Sequence, residues 1–382
     1  MTQFHIQDSS FDAPLDIPLT EGVTVKSVPY EYKVEFAGAG SVRQNVEDLV
    51  ASASDPLLLI DRHILDLYFP AGSALSRVPM LVIDATEEAK TLDTAIKAAE
   101  FLHARKATKQ GMYFVVGGGV VQDIGAFSAA IYKRGMPWTF VPTTMLAQTD
   151  SCLGGKTGLN HAGTKNLMAL FSAPRKVFID TGFLKTLPHG DMLSGLGEAF
   201  RLCVTGGPLF LDALDGLLAR WRDGDEAAIA EIIRCSLSVK KAVVERDEFE
   251  IDLRRSMNYG HSLGHAIESL VNFRIPHGMA VTIGMLIENE VSSLKGMLPE
   301  AERQRILDVG RPLVSAEARR EIEALKLDGI LDLLRNDKKT LGNSLKLVVV
   351  ETIGQIRFID LPLRDDSVEL LRVAIGRLLE AL

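Results

Sequence analysis

Cysteine is scarce in this chain of 382 residues: Cys152, Cys203 and Cys235 are an odd number at scattered positions. That spacing offers neither a disulfide framework nor a thiolate metal site, and a reducing, cytoplasmic setting is the expectation. Long apolar runs are missing as well. The richest stretches, LKLVVVE and MYFVVGGGVV, stop well short of the roughly 18–20 residues a membrane-spanning helix needs. No membrane partner is therefore expected. The opening residues, MTQFHIQDSSFDAPLDIPLTEG, have no basic start and no apolar core, unlike a secretory signal. Nor is there an excess of positive charge, since 42 Lys and Arg stand against 50 Asp and Glu for a net charge of −8. That argues against a nucleic-acid partner, which would need a basic surface to displace counterions. A local basic pocket for an anionic metabolite stays open. Internal repeats and low-complexity segments are also absent.

What is present is ordinary globular chemistry, 47% hydrophobic and 24% charged, in a chain long enough for two domains. A chain of this size buries about three-quarters of its unfolded surface and needs no disulfide staples. The first residues, punctuated by Pro14 and Pro18, read as an extension over 1–27. From Tyr30, the alternation in YEYKVEFAG predicts a strand. LLLIDRHI, MLVIDATE, MYFVVGGG and WTFVPTTM follow as short apolar runs, separated by helical patterns such as TLDTAIKAAEFLHARKA. That alternation predicts a parallel sheet covered on both faces, an α/β domain over 28–187. Past Pro188–His189–Gly190 the chain reads as helix after helix, with a hairpin in SLKLVVVETIGQIRFID before a last helix. The second domain, 188–382, is therefore expected to be mainly α-helical.

Three stretches carry chemistry. Gly117, Gly118 and Gly119 lie between a strand and a helix, where backbone N–H groups can approach a pyrophosphate; a tight turn explains them equally well, and the run is not GxGxxG. Asp61, at the end of an earlier strand, suits either ribose hydroxyls or a helix N-cap. The segment 142–166, PTTMLAQTDSCLGGKTGLNHAGTKN, gathers hydroxyls, Asp150, two lysines and Asn166 beside glycines, which suits a phosphate or else a polar surface loop. In NYGHSLGHAIESLVNFRIPHG, His261 and His265 are four apart and share one helix face, with His277 shortly after. Paired imidazoles completed by a carboxylate are common metal ligands.

GGGVVQD, VPTTMLAQTDSCLGGKTGLN, GTKN, SGLGEAF and NYGHSLGHAIE, in that order and spacing, resemble the sugar-phosphate cyclases, whose best-known member is 3-dehydroquinate synthase. The resemblance implies an α/β dinucleotide-binding domain followed by an all-helical metal- and substrate-binding domain. It implies an enzyme that oxidises a ring hydroxyl with NAD, eliminates phosphate, takes the hydride back and closes a carbocycle by aldol addition. By the same resemblance a divalent metal, zinc or alternatively cobalt, is held by Glu198, His261 and His277, with His265 beside the metal or the phosphate. Asp150, Lys156, Arg201, Lys240, Arg254 and Asn258 match residues lining the substrate pocket. Lys165, Asn166 and the pair Lys338 and Lys339 match the phosphate side, and Arg134 matches an arginine contributed across a homodimer interface. NAD is placed against Gly117, Gly118, Gly119, Asp123, Thr143 and Thr144, with Asp61, Glu87 and Lys90 along its adenosine half.

The chain departs from the family pattern at three positions. Arg201 stands where the family has lysine, and arginine does not release a proton near neutrality. Met279 replaces the carboxylate of HGE, and Gln122 replaces a glycine expected near the cofactor phosphates. Lys240 and Arg254 match residues around the carboxylate of a dehydroquinate-synthase substrate. TGLN and the amino-terminal GVTVKSVPYEYKV look instead like a sedoheptulose 7-phosphate cyclase of cyclitol biosynthesis. An iron-type alcohol dehydrogenase and a non-catalytic sugar-phosphate-binding relative are the further alternatives.

Overall fold

The computed structural model describes residues 1–17, 22–28, 30–325, 329, 344–362 and 364–382. It forms two compact units: Ile17–Leu187, and Met1–Asp16 together with Pro188–Leu382. Among the described residues, no helix is long and apolar enough to cross a membrane.

In the first unit, the Val-, Ile- and aromatic-rich runs form the expected sheet. Its spatial order is Val23–Val25, Tyr32–Phe36, Lys176–Ile179, Trp138–Pro142, Tyr113–Gly117, Leu57–Asp61 and Met80–Ile83. Neighbours are parallel except for Val23–Val25, which runs antiparallel to Tyr32–Phe36. Tyr113–Gly117 and Trp138–Pro142 are buried at every position, as strands covered on both faces must be. Helix Val42–Ala51 presents Val42, Val46 and Val50 at helical spacing to Leu58, Ile60, Phe114 and Val116. Helix Leu92–Ala104 buries Ala95, Ala98 and Leu102 and is capped by Thr91, which accepts from Thr94 N at 3.3 Å.

The strand order decides where a ligand can sit. From Leu57–Asp61 the chain moves outward to Met80–Ile83. It then crosses back to Tyr113–Gly117, on the other flank of Leu57–Asp61, and continues away to Trp138–Pro142. The direction of travel reverses between Leu57–Asp61 and Tyr113–Gly117. Doubly wound sheets bind ligands outside the carboxyl ends of the two strands at such a switch point. Here those ends carry Asp61 and the glycine turn.

The segment 142–166 is not a flexible loop. It contains a π-helical turn, Ala147–Ser151, and the first strand of an antiparallel hairpin, Lys156–His161 with Thr164–Phe171. The sequence hides it because Thr164–Phe171 is largely exposed and its register shifts between Thr164 and Met168, so apolar and polar residues do not alternate.

The second unit is rich in helices, among them His189–Gly206, Ala227–Arg246, His261–Leu270 and His277–Leu294. It also holds a four-stranded sheet ordered Ser344–Thr352, Gln355–Pro362, Thr2–Ile6, Ser9–Ala13. The late hairpin is there as expected, but the first residues complete its sheet, so they are no appendage. Phe4, Ile6, Phe11 and Ala13 are buried alternately with exposed neighbours, a period of two that the surrounding polar residues mask.

Candidate metal centre and cofactor turn

Three helices of the second unit meet at their glycines. A Cβ on Gly278 would overlap the Ser194 carbonyl oxygen, and one on Gly260, whose φ is +79°, would overlap the Val281 carbonyl oxygen. Only glycine allows these backbones to approach so closely. The approach brings Glu198 from His189–Gly206, His261 and His265 from His261–Leu270, and the first residue of His277–Leu294 to one point. Ligand atoms of His261, His265 and His277 lie within 4.8 Å of one another. Glu198 Oε1 is 3.4 Å from His277 Nε2 and 3.8 Å from His261 Nε2.

This donor set suits a cation. Glu198 is 2% exposed, and its Oε1 has no hydrogen-bond partner among the described residues, a costly state for a buried oxygen unless something fills it. Burial opposes its charge, but Arg201, His277 and His261 outweigh burial and hold the carboxyl well below the ordinary range. His277 is raised to about 10 despite its burial, because Glu198 and Glu268 flank it. His261 is lowered to about 3, chiefly by burial. One imidazole is thus kept neutral and ready to donate a lone pair, while the other sits where two carboxylates draw positive charge.

Glu268 escaped the sequence reading. Its Oε2 lies 3.0 Å from His277 Nδ1, so it fixes which nitrogen faces Glu198, as carboxylates behind metal-binding histidines do. The signal was present: positions 261, 265 and 268 follow i, i+4, i+7 on one helix face.

Other expected residues of this unit are buried around helix Ala227–Arg246 and the turn Leu253–Asn258. Lys240 and Arg254 are 5% and 2% exposed. Arg254 is tied back to the preceding loop: its N–H donates to Asp247 Oδ2 at 2.9 Å and its guanidinium donates to the Glu248 carbonyl. Asp247, unnoticed in the sequence, also accepts from the N–H groups of Ile251 and Asp252. Asn258 donates to Glu250 Oε1 at 3.3 Å. Lys338 and Lys339 lie outside the described residues.

In the α/β unit, Gly118 is the N-cap of helix Gly119–Ile131 and brings no side chain to it. A Cβ on Gly117 would strike Val121 and one on Gly118 would lie 2.9 Å from Thr144 Cγ2, whereas Gly119 faces open space. A helix N-terminus without a capping side chain, beside an open glycine at a switch point, has the geometry to receive a phosphate. Thr143 N donates to Gly117 O at 3.0 Å, and Thr144 Oγ1 accepts from Ala147 N at 3.2 Å. Asp61 caps its helix, accepting from His63 N at 3.1 Å, and burial raises its pKa.

Glu87, Lys90, Asp123 and Asn166 form one cluster. Lys90 Nζ donates to Asn166 Oδ1 at 2.7 Å and lies 3.2 Å from Asp123 Oδ2 and 3.4 Å from Glu87 Oε1. Asn160, also unforeseen, joins it by donating to Glu87 Oε1 at 2.8 Å and accepting from Asn166 N at 3.0 Å. Asn166 therefore turns towards Lys90, while its neighbour Lys165 is exposed and Lys156 sits at the far end of the hairpin, opposite Phe171. Gln122 turns away from the glycines and clasps Ser151, donating to its carbonyl at 2.6 Å and accepting from its hydroxyl at 2.5 Å. That clasp holds the turn carrying Asp150. Arg134 is exposed, in a turn where its φ is +60°.

A doubly wound unit with a glycine cradle and a helix-rich unit with a Glu and His cluster is the equipment of a sugar-phosphate cyclase. Residues 80–194 match the 3-dehydroquinate synthase N-terminal family and residues 195–340 the 3-dehydroquinate synthase C-terminal family. The chain belongs to the 3-dehydroquinate synthase family. A 3-dehydroquinate synthase of Streptococcus thermophilus is 33% identical over 355 residues, which is 89% of this chain and 96% of that one. Among solved structures, 2-epi-5-epi-valiolone synthase from Streptomyces hygroscopicus, with NAD+ and Zn2+ bound, is 26% identical, covers 92% of this chain and 98% of its own, and gives a TM-score of 0.77. A 2-deoxy-scyllo-inosose synthase complexed with carbaglucose-6-phosphate, NAD+ and Co2+ shares the fold at 22% identity and a TM-score of 0.77, over 93% of this chain and 99% of its own.

Proposed function

We propose that this protein is a NAD- and divalent-metal-dependent sugar-phosphate cyclase, a carbon–oxygen lyase that eliminates phosphate and closes a carbocycle. Its preferred substrate would be the carboxylated seven-carbon sugar phosphate of a 3-dehydroquinate synthase. The observation that carries this reading is the buried Oε1 of Glu198, which has no hydrogen bond among the described residues and faces His261 and His277, in a chain similar along 89% of its length to a 3-dehydroquinate synthase. Bound at their sites, NAD would supply reversible oxidation of a ring alcohol and the metal would supply Lewis acidity.

The chain's own residues would divide the remaining work. Glu198, His261 and His277 hold the metal, with His265 beside them. The amide cradle of Gly117, Gly118 and Gly119 holds the dinucleotide phosphates, Thr143 and Thr144 shape the turn beneath it, and Asp61 stands at the switch point for a ribose. Glu87, Lys90 and Asp123 close the adenosine side. Lys165 and Asn166, with Arg134 from the partner of a homodimer, bind the substrate phosphate. Asp150 and Lys156 handle ring hydroxyls and Asn258 orients the ring. Lys240 and Arg254 are buried cations, and desolvated cations favour a carboxylate: a charge-assisted hydrogen bond contributes about 1.5–3 kcal/mol. A sedoheptulose offers only a hydroxymethyl group there.

The likeness to a valiolone synthase favours a second reading, cyclisation of sedoheptulose 7-phosphate. Competition between the two sugar phosphates decides it. The acid should give the higher kcat/KM, Arg254→Leu should shrink that ratio, and turnover of sedoheptulose 7-phosphate with the acid ignored would establish the second reading. Catalytic NAD should support many turnovers without net NADH, whereas NADH accumulating with product would mark a dehydrogenase. Turnover of neither sugar would leave a binding protein. For the homodimer, mixing inactive Arg134→Ala and His261→Ala chains should restore activity, because a mixed dimer keeps one intact set.

A further inference from the structure

Arg201 stands one helical turn after Glu198, its side chain 2% exposed. Its Nε donates to Glu198 Oε2 at 2.8 Å, and its Nη1 reaches Met257 Sδ at 3.3 Å. The two oxygens of one carboxylate are therefore in different circumstances. Oε2 is engaged by a planar cation that does not deprotonate, while Oε1 faces the imidazoles of His261 and His277 with no hydrogen bond among the described residues.

We propose that Arg201 is a positioning residue: its guanidinium plane removes Oε2 from the donor set, so that Glu198 presents Oε1 alone to the metal. This rests on the metal reading above. A lysine would bring one ammonium on a flexible stem, able to leave the carboxylate and to carry a proton. A guanidinium braced by Met257 and packed inside the unit does neither. Arginine here exchanges mobility for a fixed carboxylate plane. A carboxylate donating through one oxygen fills one coordination position where a bidentate one fills two, and the position saved is available to substrate oxygens. The simpler alternative is that Arg201 only neutralises a buried carboxylate.

The visible spectrum of the cobalt-loaded protein separates the two, because its band intensity and position report coordination number rather than charge balance. Arg201→Met should weaken the bands and shift them to shorter wavelength, as Oε2 joins the metal. Arg201→Lys, which keeps the charge and so guards against a variant that fails to fold, should give an intermediate spectrum. A wild-type spectrum in Arg201→Lys, or in a folded Arg201→Met, overturns the proposal and leaves neutralisation as the role of Arg201. Failure of the wild-type chain itself to take up cobalt, read directly as metal content, overturns the metal reading and this inference with it.

Discussion

Around Lys90 the ammonium has three oxygen partners in the same unit, whereas around Glu198 one buried carboxylate oxygen has no hydrogen bond among the described residues. Both clusters pair carboxylates with nitrogen bases, and both are expected from resemblance to hold a ligand. Their balance differs. Lys90 has three oxygen partners and Asp123 also accepts from Gly158 N at 3.2 Å, so this network stands by itself and ties the hairpin Lys156–His161 to helix Gly119–Ile131. The Glu198 cluster keeps a vacancy in its hydrogen bonding and concentrates opposite pKa shifts on neighbouring imidazoles. A closed polar network is first a structural element. An open one, brought together by close-packed glycines, is the arrangement that suits a ligand. A cofactor reaching Lys90 or Asn166 has to exchange partners that are already made.

The contrast is broken most directly at the open cluster. His261→Ala should reduce bound zinc or cobalt to near zero with the circular dichroism spectrum unchanged; full metal occupancy would refute the ligand set. At the closed cluster the loss should appear in the fold. Lys90→Met strands Asp123, whose pKa burial already raises, and should cost about 3 kcal/mol in urea unfolding, the scale for breaking a buried pair from one side. Adding Asp123→Asn should recover much of that loss, and equal stability of wild type and Lys90→Met would show the network to be dispensable. Glu268→Ala should leave the fold intact and weaken metal binding about 10–100-fold, as measured in competition with a chelator. No change would mean that His277 needs no carboxylate behind it.

The smallest effect is expected at Asp247, whose carboxylate anchors the loop before Arg254. Burial raises its pKa, but three backbone N–H donors and nearby Arg254 outweigh burial and hold it below 3.8. A depressed carboxyl contributes its stability fully above the unfolded value and loses it as pH falls through the folded one. Asp247→Asn should therefore lower thermal stability modestly at neutral pH and flatten the acid side of the profile, so that the two curves converge below about pH 4. A profile parallel to wild type would remove Asp247 as the anchor.

Central parallel strands such as Tyr113–Gly117 were legible because a strand buried on both faces leaves a nearly continuous run of Val, Ile and aromatics. The histidine cluster was legible because imidazoles four residues apart, His261 and His265, face the same way. The choice of Glu198, His261 and His277 as the donor set came instead from the family resemblance. What escaped depends on partners distant in the chain. Asn160 and Glu268 acquire their roles from Glu87 and His277, and no local pattern announces such pairings beyond the helical phase of Glu268. Gln122 was expected beside the cofactor phosphates, since it replaces a glycine of the family motif; its amide turned to Ser151, 29 residues later. The amino-terminal strands were hidden for the same reason, because their hydrogen-bonding edge lies at Gln355 and Ile356.

That pairing also orders events during synthesis. His5 and Ile6 are synthesised long before their parallel neighbours at 355–356. The α/β unit is continuous in sequence and can fold as soon as it has been made, while Thr2–Ile6 and Ser9–Ala13 wait, unpaired on one edge, until Gln355 and Ile356 have been translated. Late closure of so distant a contact is slow, and it leaves a strand edge available to neighbouring chains in the meantime. The strand Thr2–Ile6 is thus a latch that only a strand made much later can fasten.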